Sequence, residues 1–132
     1  MNSPDPASIP FYRIGGQPTV DRLIDTFYDR METLPEAAAI RALHPQDLSG
    51  TRAILKKYLA EWLGGPQAYS QERGHPRLRA RHLPFSIGDA ERDAWMFCMR
   101  GALEEVVTDA PAREWILQKL IPLADWMRNR QG

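Results

Sequence analysis

Gly74-His75-Pro76-Arg77-Leu78-Arg79-Ala80-Arg81-His82-Leu83-Pro84-Phe85 is the stretch that decides how this chain is read. His82 stands directly after three arginines at alternate positions, Arg77, Arg79 and Arg81, with Leu78, Leu83 and Phe85 interleaved. Pro76 can occupy a first helical turn and Pro84 forbids much continuation, so a short helix is predicted around Pro76 to Arg81, carried in a loop. An imidazole beside guanidinium groups and apolar side chains suits a metal held in a flat, largely apolar, doubly anionic ring. The histidine ligates the metal, aliphatic groups cover the ring and arginines pair with its carboxylates. Haem fits that description. A solvated surface turn accounts for the arginines without any ligand. A third reading is nucleic acid, because Arg73, His75, Arg77, Arg79 and Arg81 precede His82 with no acid among them.

The whole chain argues against nucleic acid, since 17 basic and 17 acidic residues balance and give no strong attraction to a polyphosphate. At 132 residues the chain is one domain, long enough to enclose a sizeable ligand. Hydrophobic content of 43% is ordinary for a globular protein, and no apolar run approaches the roughly 20 residues that span a bilayer. The N-terminus lacks the basic start and apolar stretch of a secretory signal, and the expected compartment is cytoplasmic. Cys98 is the only cysteine, which excludes an intrachain disulfide or a cysteine-based zinc cluster and leaves a small buried apolar role.

Residues 1–10, with three prolines, read as a flexible arm ahead of a single domain over 11–132, in which Phe11 and Tyr12 cap the core. Gly15 and Gly16 break the chain before a helix that starts near Pro18 and turns Val20, Leu23, Ile24, Phe27, Tyr28 and Met31 to one face. Leu34-Pro35 closes it, a short segment rises from Glu36 to about Leu43, and His44-Pro45 makes a corner. Asp47 or Ser49 caps the next helix, where Leu48, Thr51, Leu55, Tyr58, Leu59 and Trp62 share a face. Gly64-Gly65-Pro66 ends that helix, and the pattern is irregular to Gly88 apart from the short His82 segment. Asp89 opens a helix with Trp95, Met99, Ala102, Leu103 and Val106 inward. Pro111 opens the last, with Trp115, Ile116, Leu120, Leu123 and Met127 inward and Pro122 kinking it. No stretch alternates apolar and polar residues, so the fold class is all-α. Periodicity alone leaves a four-helix bundle and a crossed-helix sandwich open. The long His82 loop tilts toward the sandwich, because a simple bundle has no use for about 20 irregular residues between helices.

Taken together, Phe27-Tyr28, His44-Pro45, Trp62-Leu63-Gly64-Gly65-Pro66, Gly74-His75-Pro76, Arg79-Ala80-Arg81-His82-Leu83-Pro84-Phe85 and Trp95 resemble the truncated haemoglobins of group II, in order across about residues 11 to 128. The resemblance implies a truncated globin-like two-over-two helical sandwich around haem b (iron protoporphyrin IX). His82 takes the place of the proximal iron ligand, while His75 falls in the preceding loop and orients that turn. Tyr28, His44, Thr51, Leu55 and Trp95 map onto the distal pocket, where O–H and N–H donors hold the negatively charged end of a diatomic ligand. Thr51 stands where many globins carry a gating histidine, so ligand access is easy. Leu55 stands where some relatives carry glutamine, which places the polar work on Trp95, Tyr28 and His44. Ile54 stands where relatives often offer a basic residue to a propionate, so Arg81, with Arg79 or Lys57, supplies that contact. The apolar haem walls come from Phe27, Tyr58, Leu59, Leu78, Phe85, Ile87 and Met99, and a backbone carbonyl near Leu78 orients the His82 ring.

The implied function is reversible binding of dioxygen and other diatomics, carbon monoxide and nitric oxide among them, or of anionic haem ligands, by a monomer or homodimer that needs neither nucleic acid nor membrane. A second function class is a haem redox enzyme that oxidises nitric oxide or turns over peroxide with electrons from a separate reductase. A third is a haem-free helical module whose arginines recognise an acidic partner.

Overall fold

Six apolar side chains on one stripe make α2, Gln17–Thr33, with Pro18 in its first turn. Val20, Leu23, Ile24, Phe27, Tyr28 and Met31 are all buried, which is the face their spacing predicts. The structure, a computed structural model, describes residues 8–131. Around α2 it places α1 (Pro10–Arg13), a 3-10 turn (Pro35–Ala37), α3 (Ala38–Arg41), α4 (Ser49–Trp62), α5 (Ala68–Arg73), α6 (Leu78–His82), α7 (Asp89–Val106) and α8 (Ala110–Trp126). α2 packs on α4, α7 packs on α8, and the two pairs meet through α2 and α7. That is the two-over-two sandwich, and no strand occurs among the described residues. No helix among them is long and apolar enough to cross a membrane.

Of the arm expected over 1–10, residues 1–7 lie outside the described residues. At its far end Ile9 packs against the core and Pro10 opens α1. Phe11 is buried while Tyr12 is exposed, so only the first of the pair caps the core. The Phe11 N–H donates to the Leu63 carbonyl at 3.0 Å, tying α1 to the end of α4. Two glycines make this possible. Gly64 sits at φ +95°, and a Cβ on Gly65 would come within 2.6–2.8 Å of three Phe11 ring atoms.

The His44-Pro45 corner is held by Arg41, whose guanidinium donates to the carbonyls of Pro45 at 2.9 Å and Gln46 at 3.0 Å. Asp47 acts two residues before α4, its carboxylate accepting the Ser49 N–H at 3.0 Å and the Ser49 hydroxyl at 2.8 Å. α5 interrupts the stretch expected to be irregular. Its six residues are too few to show a period, and it is fastened from outside by Glu61 of α4, which accepts the Ser70 N–H at 2.9 Å and the Ser70 hydroxyl. α6 starts at Leu78 rather than Pro76 because Arg77 is left-handed, at φ 48°, and cannot continue a helix.

In α8 the inward face differs from the expected one. Trp115 is 44% exposed, and Leu117 is buried with Ile116 and Leu120. The helix runs as one element through Pro122, which cannot donate to the carbonyl four residues earlier. Asp109 caps its start by accepting the Ala112 N–H at 3.1 Å, and Arg13 of α1 grips the same carboxylate at 2.8 and 3.1 Å. The Arg13 hydrogen bond, then the Ala112 N–H, holds this carboxyl below the usual carboxylate range. A group lowered in the folded state stabilises the fold above its unfolded pKa and loses that contribution as the pH falls through its folded value. Asp109→Asn keeps the cap but loses the ion pair. It is expected to lower the melting temperature by about a degree or two at neutral pH, with the gap closing below about pH 4, as thermal unfolding across pH will show.

Candidate functional site

Between the helix pairs and α6 lies a cavity of about 410 Å³, bounded mainly by apolar side chains. It gathers the whole expected distal set, Tyr28 from α2, His44 from the corner, Thr51 and Leu55 from α4 and Trp95 from α7, together with Tyr58, Leu78, Arg81, His82, Phe85 and Ile87. Four expected cofactor contacts are absent from its walls. Phe27, Leu59 and Met99 are buried in the core behind it, since helical spacing marks a buried face without distinguishing a cavity from a neighbouring helix. Arg79 turns to the end of α8, donating to the carbonyls of Trp126 at 2.7 Å and Arg128 at 3.0 Å with its guanidinium 5.1 Å from the Trp126 ring centroid. Lys57 is likewise engaged, by Glu72 at 2.7 Å.

His82 Nδ1 lies 2.6 Å from the Leu78 carbonyl, one turn earlier on α6. A carbonyl only accepts, so Nδ1 carries the hydrogen and Nε2 keeps its lone pair for a metal. No group of three or more His, Cys, Asp or Glu side chains among the described residues could hold a bare ion. A single imidazole suits a metal that brings its other ligands with it. His75 is exposed in the preceding loop, where its Nδ1 accepts the Arg77 N–H at 3.1 Å and shapes the turn.

Tyr28 is 3% exposed, and burial pushes its phenol above the ordinary value, so the hydroxyl keeps its proton. Among the described residues nothing hydrogen-bonds the Tyr28 hydroxyl or the Trp95 indole N–H, which leaves two unused donors in a mostly apolar cavity. His44 is a different case. Its Nδ1 donates to the Ile40 carbonyl at 2.8 Å, and burial lowers its pKa, so the ring is neutral and its Nε2 accepts rather than donates. Edge-to-face contacts join these groups in a row. His44 to Tyr28 spans 5.9 Å, Tyr28 to Phe27 4.8 Å and Phe27 to Trp95 5.2 Å between ring centroids. Phe27 therefore links the two donors from behind.

Two further residues bear on the site: Arg73, read from sequence only as part of a basic run, and Asn129, given no role there. Arg73, at the end of α5, lines the cavity beside Arg81, and neither meets a carboxylate among the described residues. Asn129 clasps the His82 segment, its Nδ2 donating to the carbonyls of His82 at 3.1 Å and Phe85 at 2.6 Å while its Oδ1 accepts the Ile87 N–H at 2.9 Å. A lone polar residue in the C-terminal tail gives no signal of such a role.

The bacterial-like globin family matches residues 10–129 of the chain. A group 2 truncated haemoglobin of Bacillus subtilis (strain 168) is 39% identical over 119 residues, 90% of this chain and 88% of that protein. The chain belongs to the group II truncated haemoglobins. Solved members share its shape. The group II two-on-two haemoglobin of Agrobacterium tumefaciens has a TM-score of 0.93 at 45% identity, covering 100% of each chain. The truncated oxygen-avid haemoglobin from Bacillus subtilis has a TM-score of 0.84 at 38% identity, covering 92% of this chain and 100% of that one. As a truncated haemoglobin the chain has haem for its cofactor. Its cavity suits that group in three respects: an apolar lining, the His82 imidazole on α6 with its Nε2 free, and two arginines at the wall without carboxylate partners among the described residues.

Proposed function

We propose that this truncated haemoglobin holds haem b through His82 Nε2 and binds dioxygen reversibly. The observation that carries the reading is the 2.6 Å bond from His82 Nδ1 to the Leu78 carbonyl, which fixes the tautomer a metal ligand requires. When bound, haem supplies an iron centre with a position open to dioxygen, carbon monoxide, nitric oxide or an anion. Arg81 and Arg73 at the cavity wall would pair with its propionates in place of Arg79. Tyr28 and Trp95 would offer their unused hydrogens to a bound diatomic, and neutral His44 would accept from Tyr28 or from a protic ligand. Thr51, small and polar, leaves the path from solvent short. The Bacillus subtilis relative is an oxygen-avid haemoglobin, which agrees with a cavity offering two donors.

Purified protein is expected to show a Soret band that shifts with carbon monoxide, and haemin is expected to raise its melting temperature. A colourless protein whose stability ignores haemin overturns the reading. Tyr28→Phe removes one donor and is expected to speed dioxygen release roughly tenfold in stopped flow, the equivalent of one hydrogen bond. Rapid turnover of nitric oxide or peroxide with an added reductase, beside slow dioxygen release, would assign the redox role instead.

A further inference from the structure

Among the described residues none hydrogen-bonds the Tyr28 hydroxyl to aim it, so its direction depends on what holds the ring. Phe27 and His44 meet the ring edge to face. Arg52 of α4 also approaches the ring, its Cζ 5.7 Å from the centroid, within reach of a cation–π attraction.

Arg52 is itself held from several sides. Its Nη1 donates to the Asp25 main-chain carbonyl at 3.1 Å and to Asp25 Oδ1 at 3.2 Å, its Nη2 donates to Asp29 Oδ1 at 2.8 Å, and Glu32 Oε1 stands 3.6 Å away. The three carboxylates follow one stripe of α2 at helical spacing, with Tyr28 among them. Only a planar fork can bridge such a row, which a lysine ammonium cannot. On its own helix Arg52 neighbours Thr51 and precedes Leu55 by three residues, and both line the cavity. Together with Lys56 of the same helix, whose Nζ donates to Asp25 Oδ2 at 3.1 Å, Arg52 thus fastens the helix that carries Tyr28 to the helix that walls its pocket. Its positive charge also opposes the upward push of burial on the phenol and makes the hydroxyl a better donor.

We propose that Arg52 is a positioning residue of the distal site, aiming the Tyr28 hydroxyl through the ring face and the α2–α4 clamp, and so setting how long a diatomic ligand stays. The proposal rests on the reading of Tyr28 as a donor, and a double-mutant cycle separates the two. The probes are dioxygen release by stopped flow and the C–O stretch of the carbon monoxide complex. Arg52→Gln is expected to speed release about five- to tenfold and to shift the stretch upward, as a weaker positive field at the ligand requires. Added to Tyr28→Phe, it should change release less than about twofold. Arg52→Lys, which keeps the charge and loses the fork, should fall between. A structural role alone lowers the melting temperature and leaves stretch and release unmoved, which overturns the proposal, as does full additivity with Tyr28→Phe. Should Arg52→Gln fail to fold, Asp29→Asn loosens the shortest arm of the clamp at a side chain 69% exposed. It must move both probes in the same direction, and no movement overturns the proposal. Wild-type release from Tyr28→Phe removes the donor reading and this proposal with it, whereas a Tyr28 effect without an Arg52 effect removes this proposal alone.

Discussion

Replacing His82 by glycine is expected to abolish the five-coordinate ferrous imidazole spectrum and to weaken haem retention by roughly a hundredfold or more, since even outer-shell changes at a metal site cost 10–100-fold. Millimolar imidazole should restore the spectrum by filling the space the side chain leaves. The magnitude follows from the isolation of the ligand, because no cluster of metal-binding side chains among the described residues stands ready to replace it. One substitute exists. His44 lines the same cavity with its Nδ1 committed to Ile40, so its Nε2 lone pair is available to iron. Any binding that survives His82→Gly should therefore vanish in the double variant with His44→Leu. A double variant that keeps the wild-type ferrous spectrum would place the proximal bond elsewhere.

Phe27→Ala carries the largest expected effect on stability. The ring is fully buried in the core cluster, and removing it should destabilise the fold by about 3–5 kcal/mol, lowering the melting temperature by roughly 10 °C or more. Because the ring stands between Tyr28 and Trp95, the loss should also release both donors from their settings. Phe27→Leu separates the two possible roles of the side chain. It restores most of the volume without touching the cavity, so haem uptake should match the wild type while dioxygen release changes. A well-folded Phe27→Leu protein that no longer takes up haem would return this residue to the cavity wall.

The long helices were legible because burial repeats. The stripe from Val20 to Met31 and the inward run of Met99, Ala102, Leu103 and Val106 are read at 3.6-residue spacing and buried as read. The five residues assigned to a distal pocket by resemblance all line one cavity. What periodicity cannot reveal is the neighbour. Phe27, Leu59 and Met99 face inward as expected, yet onto other helices, because the spacing of a stripe says nothing of the gap opposite. Short, externally anchored elements also escaped. α5 depends on Glu61, an acid of another helix, and Arg79 is drawn to the main-chain carbonyls that the end of α8 leaves open, a partner nearly 50 positions away. Trp115 satisfies the helical period and still faces water, since the sandwich covers only one side of α8.

The Asn129 clasp gives the last few residues of the chain an importance out of proportion to their place. A protease nick or a stop codon just after Trp126 would spare every helix and both donors, yet free the carbonyls of His82 and Phe85 and the amide of Ile87 together. Such a shortened protein should still fold, and should lose its colour on storage faster than the intact chain. Purification tags are accordingly better attached at the opposite terminus.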